Sequence, residues 1–184
     1  GKTELAKALA DYARGLDDTI MHIHVSETRS EHEECIQRHG LTPAAYLEKM
    51  GLDAFEYQCG RGVRVSEKAA AEFGAACKEK NITLSLHAPY YISMSSTEEE
   101  KRLNSINYIL DSAKAIKAMG GSRVIFHSGS CAKLSRDVAL GKAVDTMKLI
   151  MKALDENGLG DITVCPETMG KVNQLGTLDE VIEL

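Results

Sequence analysis

Three short apolar runs, spaced at equal intervals, each end in a residue that can ligate a metal. Ile82 to Leu86 leads into His87, Val124-Ile125-Phe126 into His127, and Ile162 to Cys165 into Pro166-Glu167. The steps from His87 to His127 and from His127 to Glu167 are both 40 residues, about one strand plus one helix with its loops. Each run passes at once into a loop: Ala88-Pro89-Tyr90-Tyr91, Ser128-Gly129-Ser130 and Thr168-Met169-Gly170. The pattern predicts parallel strands joined by crossover helices, with the three ligand-type residues at the carboxyl edge, where α/β sheets and barrels build their sites.

The rest of the chain extends this pattern. Ile20 to Val25 and Asp53 to Gln58 read as two earlier strands, and Arg123 to His127 and Asp161 to Cys165 as the last two. Helices are expected from about Ser30 to His39, after Pro43, from Ser66 to about Glu79, from the Ser95-Ser96-Thr97/Glu98–Glu100 capping boxes to Gly120-Gly121, and from Arg136 to Glu156. Leu103, Ile106, Leu110, Ala113 and Ile116 would face inward on the fourth of these, and Leu140, Val144, Met147, Met151 and Leu154 on the fifth. Thr177 with Glu180 caps a last helix. The fold class is therefore α/β, parallel βα repeats forming a partial (β/α)8-like barrel with about five strands. A closed barrel takes about 250 residues, and 184 residues suit one domain. An open sheet, or closure by self-association through open sheet edges, are the other ways to arrange these units.

Composition narrows the partners. A formal net charge of −5 argues against nonspecific polyanion binding, while leaving room for a few basic loop residues to touch nucleic acid. Five scattered cysteines without a CxxC pair indicate reduced thiols and a cytoplasmic setting. No apolar run reaches the ~18 residues of a membrane span, and no signal peptide is seen. Gly1-Lys2-Thr3 looks like the end of a phosphate-binding loop, but the upstream glycines are absent, so an amphipathic helix with Leu5, Leu9 and Tyr12 inward is expected instead. The chain starts at Gly1 and stops inside a helical pattern at Leu184, and both ends read as cut.

From about Leu52 onward, LDAFEYQCGRGV, SLHAPYYIS, KRLNSINYILDSAKAIKAMGGSRVIFHSGS and VCPETMGKVNQLGTLDEVIEL resemble the endonuclease IV family over about 130 residues. The resemblance implies a zinc-dependent phosphodiesterase that cuts DNA beside abasic sites. It implies that His87, His127 and Glu167 are zinc ligands, with Glu167 also bridging to a second metal and acting in catalysis. Tyr90 falls in the family's loop that enters the DNA minor groove, Tyr91 is its neighbour, and Arg61 stands where a DNA-contacting arginine is expected. The family's later ligands lie on strands beyond this chain's last residue.

Residues of about 19–52, including IMHIHVSETRSEHEEC and YLEKMGL, resemble instead one unit of an amidohydrolase-superfamily deaminase. There His24 matches a metal ligand and Glu27 a proton shuttle. Together the two resemblances imply a chimera, with 1–52 as a helix plus amidohydrolase-like unit and 53–184 as endonuclease IV-like units. Two imidazoles and a carboxylate form a zinc set with a fourth position for water, or else three polar strand ends bonded to loops. Three functions are thus open: a zinc-dependent phosphodiesterase, weak or inactive for want of the later ligands; a partial-barrel scaffold with a vestigial site; and a deaminase using His24 and Glu27.

Overall fold

The computed structural model describes residues 2–16, 20–24, 29–49 and 51–184. These divide into two compact units, 1–53 and 54–184.

The first unit is helical. Its elements are α1 (Lys2–Ala13), α2 (Arg29–His39) and α3 (Pro43–Lys49). Pro43 opens α3, where its missing N–H costs nothing, and the Thr42 hydroxyl accepts from the Ala45 amide. Cys35, Pro43 and Leu47 are the buried side chains of α2 and α3. Leu5, Leu9 and Tyr12 are exposed, against expectation, because no other described element of this unit packs over that stripe. The expected strand at Ile20 is likewise not formed over 20–24, where Ile20 is 93% exposed. An apolar strand is held by a ladder partner, and this segment has none among the described residues. Glu27 and Gly1 lie outside the described residues.

The second unit alternates strand and helix. Its elements are β1 (Ala54–Gln58), α4 (Glu67–Glu79), β2 (Thr83–His87), α5 (Glu99–Ala118), β3 (Arg123–Phe126), α6 (Arg136–Glu156), β4 (Thr163–Pro166) and α7 (Leu178–Glu183). The sheet has four strands rather than five, all parallel, in the order β1-β2-β3-β4. Sequential order with parallel pairing is the barrel-type arrangement. Alternation sorts the side chains. Leu84, Leu86, Val124 and Phe126 are buried in the core with Ile109 and Ile116 of α5 and Ile150 and Leu154 of α6. Burying each such side chain contributes about 1.5–3 kcal/mol. Ser85 points the other way and donates to Glu56 on the neighbouring strand (3.2 Å).

The helix stripes differ in detail from the periodic reading. In α6 the buried positions include Ala139, Ala143, Ile150 and Leu154, while Met151 is 40% exposed. In α5 Ser105, Ile109 and Ser112 are buried and Leu103 is exposed. Small residues let these helices approach the sheet and each other closely. Gly74 in α4 shows the limit, since a Cβ there would stand 2.0 Å from the Met119 carbonyl oxygen. No helix among the described residues is long and apolar enough to cross a membrane.

Candidate metal centre

β2 ends at His87, and the ladder continues past the ends of β2 and β4. The Ala88 amide donates to Ile125 O (2.8 Å), and the Glu167 amide donates to Phe126 O (2.9 Å). These bonds bring the residues after three neighbouring strands level at one edge of the sheet. His87, His127 and Glu167 then each offer one ligand atom, and all three atoms lie within 4.8 Å of one another. This is the one such cluster of three among the described residues.

Both imidazole Nε2 atoms face the same carboxylate oxygen. His87 Nε2 is 3.1 Å and His127 Nε2 is 3.0 Å from Glu167 Oε2. The two rings meet edge to face with centroids 4.9 Å apart. His87 Nδ1 is 2.8 Å from the Ala88 carbonyl, which can only accept, so this nitrogen carries the hydrogen. In the neutral ring Nε2 then presents a lone pair to a carboxylate oxygen. Such a contact repels unless a proton or a cation lies between the two atoms. Burial first, and then the neighbouring His87, push the His127 imidazole below its ordinary pKa against the pull of Glu167, which favours its neutral, ligating form. On a tetrahedral zinc with bonds of about 2.0–2.1 Å, ligand atoms stand about 3.3 Å apart, close to the two histidine–glutamate separations. The donor set and its spacing fit a zinc-type cation.

Three loops fasten the centre. The Ser95 hydroxyl donates to Ser130 O (2.7 Å), tying the loop after β2 to the loop after β3. Gly129, at φ +108°, packs so closely on the Ser93 backbone that a Cβ would stand 3.1 Å from Ser93 Cα. The loop after β4 pairs back on the loop after β3: Leu175 N donates to Gly129 O (3.0 Å), and Cys131 N and the Ser130 hydroxyl donate to Asn173 O (both 2.9 Å). The expected Ser-Glu capping box at the start of α5 is not made, because Ser95 is spent on Ser130 and the Ser96 hydroxyl accepts from Glu98 N. The Thr177–Glu180 capping box is present. The residues that interlock these loops carry no sequence signal of their own, since each bond joins segments more than 30 residues apart.

The aromatic residues take different places. The Tyr90 ring lies against both histidines, with centroids 5.6 Å from His87 and 5.5 Å from His127. It rests on the backbone of Gly60, where a Cβ would stand 2.9 Å from the ring. Tyr90 remains 59% exposed beside the two histidines. Tyr91 turns away and packs on Tyr108 of α5. Arg61 is exposed on the loop after β1, next to Gly60. In the first unit, His24 is exposed and its ring stacks on His22 at 5.4 Å.

Comparisons place this geometry among known proteins. The profile of a family described as "Xylose isomerase-like TIM barrel" matches residues 44–184. An uncharacterised protein of Methanocaldococcus jannaschii is 34% identical over 141 residues, 75% of this chain and 49% of that protein. A probable endonuclease 4 of Ureaplasma urealyticum is 30% identical over 103 residues, 54% of this chain and 33% of that protein. A 5'-deoxyadenosine deaminase of Methanothermobacter thermautotrophicus is 47% identical over only 45 residues, 24% of this chain and 10% of the enzyme. Among solved structures, a D-tagatose 3-epimerase-like protein superposes with a TM-score of 0.61 at 20% identity, covering 85% of this chain and 56% of that one. Endonuclease IV of Thermus thermophilus superposes with a TM-score of 0.52 at 18% identity, covering 81% of this chain and 51% of that one. The chain thus spans between a third and a half of the length of its longer-matching curated relatives.

Proposed function

Because the chain belongs to the xylose isomerase-like TIM barrel family, we propose that its 54–184 unit carries a zinc centre ligated by His87, His127 and Glu167 and acts on the phosphodiester backbone of DNA at abasic sites. The observation that carries this reading is the convergence of three ligand atoms within 4.8 Å at one sheet edge. The relatives named endonuclease 4 favour DNA as the substrate. When bound, the zinc would supply Lewis acidity and lower the pKa of a bound water towards about 7. His87 and His127 would hold the ion through Nε2, and the Ala88 carbonyl holds His87 in the tautomer that frees this atom. Glu167 would balance its charge through Oε2, the oxygen both rings face, and its carboxylate could take a proton from water. The exposed Tyr90 ring would stack on a base beside the lesion, with Arg61 and Tyr91 as further DNA contacts. Phosphodiester cleavage gains from two metals clamping both oxygens, and this centre would supply one of them.

A second reading is favoured by the structural neighbours, several of which are sugar 3-epimerases. Epimerisation moves a proton off and back onto carbon and gains from a base on each side of it, of which Glu167 would supply one. The test is a zinc-supplemented incubation with labelled duplex DNA bearing one abasic analogue, run beside a ketose panel. Zinc-dependent nicking at the lesion, lost in His87→Ala/His127→Ala, supports the first reading. Intact DNA with an epimerised ketose supports the second. Neither activity in the zinc-loaded chain leaves a binding scaffold.

A further inference from the structure

The loop after β4 is clamped from the preceding helix, α6, and the clamp has no part in the ligand set. Arg136, the first residue of α6, turns all three guanidinium nitrogens to this segment. Nη1 donates to Val172 O (2.7 Å), Nη2 to Gln174 O (2.8 Å) and to Glu180 Oε2 (2.9 Å), and Nε to Glu180 Oε1. Glu180 is buried and also accepts from the Gly176 and Thr177 amides (2.8 and 2.9 Å). The same loop closes on itself two residues past Glu167, where Met169 N donates to Gly176 O (2.8 Å). Gly176, at φ +144°, fits there only without a side chain, since a Cβ would stand 2.7 Å from Met169 N.

We propose that Arg136 is a positioning residue for the metal centre: with Glu180 it locks the loop after β4 and so holds Glu167 in its ligating place. This rests on the reading of His87, His127 and Glu167 as a metal site. Glu167 is the ligand with the most to gain from such support. Its side chain is 43% exposed, against 6% for His87 and 24% for His127. The histidines sit in packed surroundings, while Glu167 is kept in register by one ladder bond and by the loop that follows it. Without the guanidinium, two loop carbonyls and a buried carboxylate lose their partners together. The carboxylate oxygen shared by both rings then samples positions off the metal, and affinity falls. Loss of a supporting partner of this kind typically lowers metal affinity about 10–100-fold.

The experiment measures zinc affinity by competition with a chromophoric chelator, and visible absorption after Co2+ loading, for the wild-type chain, Arg136→Met, Arg136→Lys, Glu180→Gln, His87→Ala/His127→Ala and Ile150→Val. Wild type is expected to bind one metal per chain with a tetrahedral-type cobalt band, and the double histidine variant to bind none. Arg136→Met is expected to bind about 10–100-fold more weakly with a diminished band, and Arg136→Lys to recover part of the loss, since it keeps the charge but not the fork. Ile150→Val, which loosens the core and removes no hydrogen bond of the clamp, is expected to bind as wild type does. Wild-type affinity in the Arg136 variants, with the wild type itself binding, overturns the positioning role alone. No metal on the wild type overturns the metal-site reading and this role with it. Should Arg136→Met fail to fold, unchanged affinity in both Arg136→Lys and Glu180→Gln overturns the proposal.

Discussion

His87 and Glu167 stand 80 residues apart in the chain, yet His87 Nε2 and Glu167 Oε2 meet at 3.1 Å. His127, on the strand between them, reaches the same oxygen at 3.0 Å. The contact joins the first and third of three successive parallel units, so it exists only if β2, β3 and β4 pair in sequence and in register. A centre of this kind reports on the fold as directly as on the chemistry.

That dependence gives a first expected outcome. Chelator treatment of the zinc-loaded chain should lower its melting temperature, because an ion that binds only the folded chain stabilises it by mass action. His87→Ala/His127→Ala should melt at one temperature with or without added zinc. A zinc-dependent shift of equal size in both proteins would place the ion elsewhere.

The strand ends and most helix boundaries were legible in the sequence for local reasons. Val124 and Ile125 are β-branched and Phe126 is aromatic, Ser66 caps α4 by accepting from Ala69 N, and Thr177 caps α7. What failed was decided by distant partners. The Ser95 hydroxyl looks like a helix cap, but Ser130, on another loop, takes it. Met151 has the right spacing for the α6 stripe, yet Ile150 fills the core and Met151 stays half exposed. Ile20 to His24 has strand composition and, among the described residues, no ladder to join. The candidate cluster of His87, His127 and Glu167 was legible because strand ends are local, whereas the clamp of Arg136 on residues 172–180 was not, because it joins segments 36 to 44 residues apart.

Acid should act through Glu180. Hydrogen bonds from Arg136, and then from the Gly176 and Thr177 amides, outweigh burial and hold its carboxyl at about 2, below the ordinary 4.5. The folded-state value lies below the unfolded one. The stabilisation is therefore complete above about pH 4.5 and is lost as the pH falls towards 2. Thermal melts between pH 6 and 2 should show a steeper acid loss for wild type than for Glu180→Gln. Parallel curves would remove Glu180 as the source.

Two glycine substitutions should have opposite signs. Gly74→Ala pushes a methyl into the Met119 carbonyl and should cost about 1–3 kcal/mol or more. Gly141→Ala, mid-helix in α6 with nothing within 4 Å of the new methyl, should stabilise by about 0.5–1 kcal/mol. Urea midpoints at constant slope decide both.

Tyr90 and Tyr91 should separate in DNA binding. Tyr90→Ala removes the exposed ring beside the two histidines and should weaken binding to abasic duplex by about 1–3 kcal/mol, with Tyr90→Phe near wild type. Tyr91→Ala should matter less, since its ring is engaged with Tyr108. Fluorescence anisotropy with one labelled duplex compares all three, and equal losses at both tyrosines would contradict the placement of Tyr90.

The central claim is tested most directly by counting metal. The chain is purified without chelator in zinc-supplemented buffer, dialysed, and assayed for zinc per chain beside folded His87→Ala/His127→Ala. The account predicts about one zinc per wild-type chain and none in the variant. A folded wild-type chain without zinc, or a variant that retains it, would contradict the account.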